Sequence, residues 1–115
     1  MTDLIELFKM LSDETRLRIL LLLSKKALCV CEICDILNEP QPKVSRHLTK
    51  LRDMGFVKDE RQGQWIFYSL NIQDELFDKI FQCISGNTNL YPVIKGDMEK
   101  LQVKMRENKM CNRTN

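Results

Sequence analysis

The stretch Cys29-Val30-Cys31-Glu32-Ile33-Cys34-Asp35-Ile36-Leu37-Asn38-Glu39-Pro40-Gln41-Pro42-Lys43-Val44-Ser45-Arg46-His47-Leu48, continuing to Met54, decides how this chain is read. It opens with three cysteines, Cys29, Cys31 and Cys34. Ile33, Ile36 and Leu37 then turn inward on a short helix from Glu32 to Leu37, which Asn38-Glu39-Pro40 breaks. Pro42 suits the first turn of a new helix, Gln41 to Met54, because its missing N–H has no partner there in any case. In that second helix Val44, Leu48 and Leu51 recur at i, i+4 and i+7 and face a core. Lys43, Arg46, Thr49, Lys50 and Asp53 lie opposite, and Gly55 is the expected stop. Two helices joined by a short turn, the second basic on its outer face, form a helix-turn-helix.

Working outward, Phe56 to Leu70 changes period. Val57 to Arg61 and Gln64 to Leu70 flank Gln62-Gly63 and read as a β-hairpin, with Ile66, Tyr68 and Leu70 expected inward. A hairpin directly after such a helix is a wing, with Arg61, Gln62 and Gln64 at its tip. Upstream, residues 2–11 form a short helix with a broad apolar stripe. Ser12 caps the next one, Asp13 to about Ser24, whose run Ile19 to Leu23 makes it central and buried. Downstream, Asn71 caps a helix from Ile72 to Ile84. Residues 85–96 are loop-like, 97–109 a weaker helix, and Asn112 to Asn115 a disordered tail. The expected class is mainly α with a β-hairpin, a homodimeric winged helix-turn-helix. Residues 1–84 carry DNA binding and dimerisation, and residues 85–115 are an extension.

The 115 residues allow one small domain, 43% hydrophobic and 30% charged. The longest apolar run is too short to span a bilayer, and Asp3 and Glu6 interrupt any leader-like start, so a cytoplasmic chain without membrane contact is expected. Net charge is only +2. Its distribution is informative: residues 41–64 hold six basic against three acidic side chains, the excess a phosphate-binding surface needs. Gln41, Lys43, Ser45, Arg46, Thr49 and Lys50 are the candidate contacts of the second helix. Arg46 suits a guanine edge, and Lys43 or Lys50 a phosphate. Leu4, Leu7 and Phe8 of the first helix, and Leu76, Phe77, Ile80, Phe81 and Ile84 of the helix after the wing, leave more apolar surface than a small monomer covers. Pairing them between two copies gives a two-fold dimer.

Five cysteines in a cytoplasmic chain point to metal binding or redox chemistry rather than to a disulfide framework. Three within six residues and no nearby histidine argue against magnesium, calcium or manganese, and zinc usually wants a fourth ligand. A lone cysteine would read as packing: Cys83 beside an apolar face does, Cys111 falls in the tail, and His47 reads as a core flank. Positions 29 and 31 of a continuous helix point about 200° apart. All three sulfurs therefore meet one ion only if the backbone near Cys29 leaves helical geometry on binding, or has already left it.

Several segments together resemble the ArsR/SmtB family of bacterial metal-sensing repressors. They are Asp13-Glu14-Thr15-Arg16-Leu17-Arg18-Ile19-Leu20, Val44-Ser45-Arg46-His47-Leu48, Leu51-Arg52-Asp53-Met54-Gly55-Phe56-Val57, and Gly63-Gln64-Trp65 leading into Tyr68. Leu28-Cys29-Val30-Cys31-Glu32-Ile33-Cys34 is similar to the arsenic-sensing branch. The resemblance covers roughly residues 2–84. It implies a homodimer on double-stranded operator DNA, released when trivalent arsenic or antimony takes the three sulfurs, with no organic cofactor and no catalysis. The zinc site that other branches of the family build from Asp and His on the last helix is absent, because the one histidine, His47, lies elsewhere. Cadmium and lead sensors add cysteines near the N-terminus, and residues 1–28 have none. The competing readings are a redox-responsive or cadmium-, lead- or zinc-responsive repressor of the same fold, a protein-only winged helix, and a thiol enzyme. Glu32 and Asp35, which disfavour a thiolate, weigh against the enzyme.

Overall fold

The computed structural model describes residues 2–107 and Met110. Cys111 and the expected tail lie outside them. Helix α1 (Thr2–Leu11) ends where the Ser12 hydroxyl donates to the Lys9 carbonyl at 2.7 Å. Ser12 thus closes α1 and does not open α2 (Glu14–Leu23). Asp13 caps α2 instead, accepting the Arg16 N–H at 3.0 Å. Ile19, Leu20, Leu21 and Leu22 are fully buried, so α2 is the pillar of the core.

Strand β1 (Leu28–Cys29) has only two residues and was not expected. It pairs with β3 (Trp65–Leu70), Leu28 opposite Tyr68 and Cys29 opposite Phe67. With β2 (Val57–Gln62) on the other side of β3, the sheet is antiparallel in the order β1-β3-β2. Gln62 pairs with Trp65, so the hairpin turn is Gly63-Gln64, one residue later than expected. Gly63 takes φ +63°, which L side chains adopt poorly. The expected inward face also needs correction. Tyr68 is buried and Leu70 half-buried, but Ile66 is 38% exposed and Phe67 is buried. The short β1 reaches only positions 67 and 68, leaving Ile66 beyond the covered part of β3.

Helix α3 (Val30–Leu37) ends at Asn38, whose φ of 54° turns the chain toward α4 (Gln41–Asp53). Gly55, at φ +84°, ends α4 as the sequence implies. Helix α5 (Glu75–Ser85) begins later than expected, because Asp74 is its cap and accepts the Phe77 N–H at 2.9 Å. The Asn71 amide instead donates to the Gly55 carbonyl.

After a short 3-10 turn, Thr88–Leu90, helix α6 (Pro92–Arg106) starts five residues before the expected helix. Pro92 suits its first turn, and Gly96 sits inside it. Far from being a loose extension, α6 buries Ile94 and Leu101 in the common core. Buried Asp97 forms a two-pronged ion pair with Arg18 of α2, both contacts 2.8 Å. Among the described residues no helix is long and apolar enough to cross a membrane.

A cysteine pair beside a basic helix: the candidate functional site

Cys29 is the last residue of β1 and the N-cap of α3, with extended backbone at φ −87° and ψ 167°. The helix start therefore has the non-helical geometry that three converging sulfurs need. The Glu32 carboxylate, itself only 2% exposed, accepts the Cys29 N–H at 2.9 Å, as in a capping box. The sulfurs of Cys29 and Cys31 lie 2.9 Å apart. Cys29 is buried and Cys31 exposed, so one sulfur of the pair faces inward and the other solvent. Phe67, directly across the ladder, shares the sheet face of Cys29.

Cys34 lies one helical turn beyond Cys31 and is half-buried. Burial, then the neighbouring Cys31, pushes its thiol pKa up. The acidic neighbours named in the sequence reading are not the cause. As the side chains stand, no three His, Cys, Asp or Glu groups among the described residues converge as a metal cluster. Two sulfurs are in place, and the third is within one turn of the same helix. That donor set fits a thiophilic ion with three sulfur bonds. Cys83 is exposed on α5, not packed as expected, because it lies off the face that buries Phe77 and Phe81.

Three residues, 38–40, separate α3 from α4. Gln41, Arg46, Thr49 and Lys50 are exposed along one side of α4, with Ser45 half-buried beside them, while Val44, Leu48 and Leu51 are fully buried. Lys43 is half-buried and pairs with Glu39 at 3.2 Å. Arg46 and Lys50 make no ion pair among the described residues. Arg52 bridges to Asp59 at 3.1 Å and so ties the end of α4 to the wing. At the tip Arg61 and Gln64 are exposed and Gln62 is half-buried. His47 is half-buried against α2. Burial lowers its pKa, opposed by Asp13.

The expected dimer residues divide. Leu7, Phe77 and Phe81 are buried within their own chain and offer nothing to a second copy. Leu4, Ile80 and Ile84 are half-buried. Phe8 and Leu76 are 52% and 59% exposed, joined by Ile5, which belongs to the expected apolar stripe of α1 but not to the expected dimer residues. The stripe on α1 is wide enough to serve two partners, and periodicity alone does not say which half faces which.

A family described as bacterial regulatory protein, arsR family, matches residues 13–59. An arsenical resistance operon repressor of Escherichia coli (strain K12) is 54% identical over 68 residues, 58% of each chain. A cadmium resistance transcriptional regulatory protein, a CadC homologue of Staphylococcus aureus, is 35% identical over 69% of this chain and 68% of its own length. The crystal structure of AntR, an antimony-specific transcriptional repressor, superposes with a TM-score of 0.63 at 26% identity, covering 78% of this chain and 83% of AntR. The chain spans a little over half the length of the arsenical repressors it matches. These likenesses agree with the winged helix-turn-helix architecture, and the chain belongs to the arsR family of bacterial regulatory proteins.

Proposed function

We propose that this chain is a cytoplasmic, metalloid-responsive transcriptional repressor, not an enzyme. It binds double-stranded operator DNA as a homodimer and leaves it when trivalent arsenic or antimony binds Cys29, Cys31 and Cys34. The observation that carries this is the sulfur pair, 2.9 Å apart at the non-helical start of α3, a helix whose other end is joined through residues 38–40 to a basic exposed helix. Relatives named for arsenical resistance and for antimony support the choice of inducer.

The ion supplies a pyramidal centre that three thiolates can share. Cys29 and Cys31 present two sulfurs already gathered. Bringing in Cys34 requires its rotamer, or the first turn of α3, to move. Helix α3 reaches α4 through only three residues, so movement of α3 tilts α4. In a dimer the two copies of α4 must enter successive major grooves ~34–36 Å apart, and a small tilt spoils both contacts. Exposed Phe8, Leu76 and Ile5 are the surface for the second copy. Arg46, Lys50, Gln41, Thr49 and Ser45 face the groove, Lys43 joins them by exchanging Glu39 for a phosphate, and Arg61, Gln62 and Gln64 follow the backbone from the wing.

The test is an operator titration with and without trivalent arsenic, repeated on Cys31→Ser. Arsenic weakens binding of the native chain about twentyfold, roughly 1.8 kcal/mol of coupling, and leaves the variant unchanged. Equal release of both proteins rejects the cysteine site. Binding that ignores salt rejects the DNA reading.

A further inference from the structure

We infer that Cys29 and Cys31 form a two-electron redox couple whose oxidation to a disulfide blinds the chain to thiophilic ions while leaving it on DNA. The second half of this statement rests on the metalloid reading above. The first half stands on geometry. The two sulfurs are 2.9 Å apart, and a disulfide bond of ~2.05 Å needs roughly 1 Å of further approach. Their exposures differ in the way a sensing and resolving pair requires. Cys31 is exposed and meets a solute oxidant first, and Cys29 is buried directly behind it. Cys34 is half-buried a turn further on.

The chemistry balances with a hydroperoxide as oxidant. The Cys31 thiolate attacks one peroxide oxygen, the O–O bond breaks, and hydroxide leaves and is protonated to water. Cys31 is then a sulfenic acid. The Cys29 thiolate attacks the Cys31 sulfur, the S–O bond breaks, and a second hydroxide leaves as water. Two thiols lose two electrons and two protons, and hydrogen peroxide becomes two waters. An external thiol or phosphine reverses the step.

The consequence for DNA differs from that of ion binding. A disulfide draws together two side chains that already touch, and it asks nothing of Cys34. The β1–β3 ladder and the Glu32 carboxylate on the Cys29 N–H hold the backbone at the junction through main-chain groups of Cys29, while its sulfur also accepts from the Glu32 N–H in the same capping box. Helix α3 keeps its place and so does α4. Meanwhile two of the three sulfurs are consumed, and one thiol does not hold a three-coordinate ion.

The full-length reduced chain is treated with hydrogen peroxide, the excess destroyed, and the product weighed and digested. DNA titrations with and without trivalent arsenic follow on the reduced, oxidised and phosphine-re-reduced samples. The expected product has lost about 2 Da, with the cross-link mapping to Cys29 and Cys31. Cys34→Ser gives the same product. The oxidised chain binds DNA within about twofold of the reduced one, arsenic no longer weakens it, and re-reduction restores the response. Gain of oxygen without a cross-link, a bond through Cys34 or between chains, or loss of DNA binding on oxidation overturns the inference. A reduced chain that ignores arsenic yet gives the mapped cross-link sinks the metalloid reading and its blinding, not the redox couple.

Discussion

Helices α3 and α4 are neighbours in sequence, both short and both amphipathic, yet they are held in opposite ways. Helix α3 is tethered on every side. Its start is locked by the β1–β3 ladder and by buried Glu32, and its end by Lys100, which donates to the Ile36 carbonyl at 3.3 Å, and by Lys104, which pairs with Asp35. Helix α4 is anchored by one apolar row and, at its end, by the exposed Arg52–Asp59 bridge to the wing, and its outer face is left to solvent with Arg46 and Lys50 outside any ion pair among the described residues. Helix α4 thus keeps the charges that the proposed grip on DNA requires, and α3 is embedded where, on the proposed function, a small change is passed on.

The comparison breaks most visibly at Asp97. Asp97→Ala removes the partner of Arg18 and loosens α6, which covers α3. We expect a loss of about 3 kcal/mol in chemical denaturation, since breaking a buried pair leaves a charge uncompensated. A loss below about 1 kcal/mol would mean that α6 is not the brace of α3.

Glu32→Ala acts at the other end of α3. It leaves the Cys29 N–H without its acceptor, and about 2 kcal/mol of stability should go. Glu32→Gln, which keeps an acceptor oxygen, should recover most of it. Arg46→Ala sharpens the contrast from the side of α4. DNA affinity should fall by about 1–3 kcal/mol while thermal unfolding changes by less than about 0.5 kcal/mol. A large stability change there would show that the outer face is structural.

The smallest effect is the pH dependence at the seam between α2 and α4. His47 titrates below its ordinary value because burial disfavours the cation. The unfolded chain thus takes up the proton first, and stability is lost as pH falls from the ordinary histidine value toward the lowered one. Asp13, held low chiefly by the Arg16 N–H, adds a loss with the same sign further down, as pH falls through its own lowered value. Denaturation midpoints followed downward from pH 7 should fall, and in His47→Gln the first part of that fall should disappear.

How much of this was legible depended on whether the signal was local. The spacing of Val44, Leu48 and Leu51 placed α4 correctly, and Gly55 placed its stop, because both follow from helix geometry alone. Strand β1 was invisible: two residues carry no period, and only pairing with Phe67 and Tyr68 makes Leu28-Cys29 a strand. The cysteine cluster could be read from spacing, but the direction of each sulfur could not. Glu32, three residues after Cys29, stood at capping-box distance and was the available clue to the extended start. The later starts at Asp74 and Asp13 came from competition between nearby capping residues, settled for Asn71 by its distant bond to the Gly55 carbonyl and for Ser12 by its local bond to the Lys9 carbonyl. The early start of α6 was masked by Gly96, which is easily read as a loop.

The claim that the sulfur pair and the basic helix are coupled is tested most directly by linkage. Trivalent arsenic affinity is measured for the native chain alone and for the chain saturated with its operator fragment, at one salt concentration. Coupling is reciprocal, so DNA should weaken arsenic binding by the same factor, about twentyfold, by which arsenic weakens DNA binding. Identical arsenic affinities with and without DNA would contradict the account.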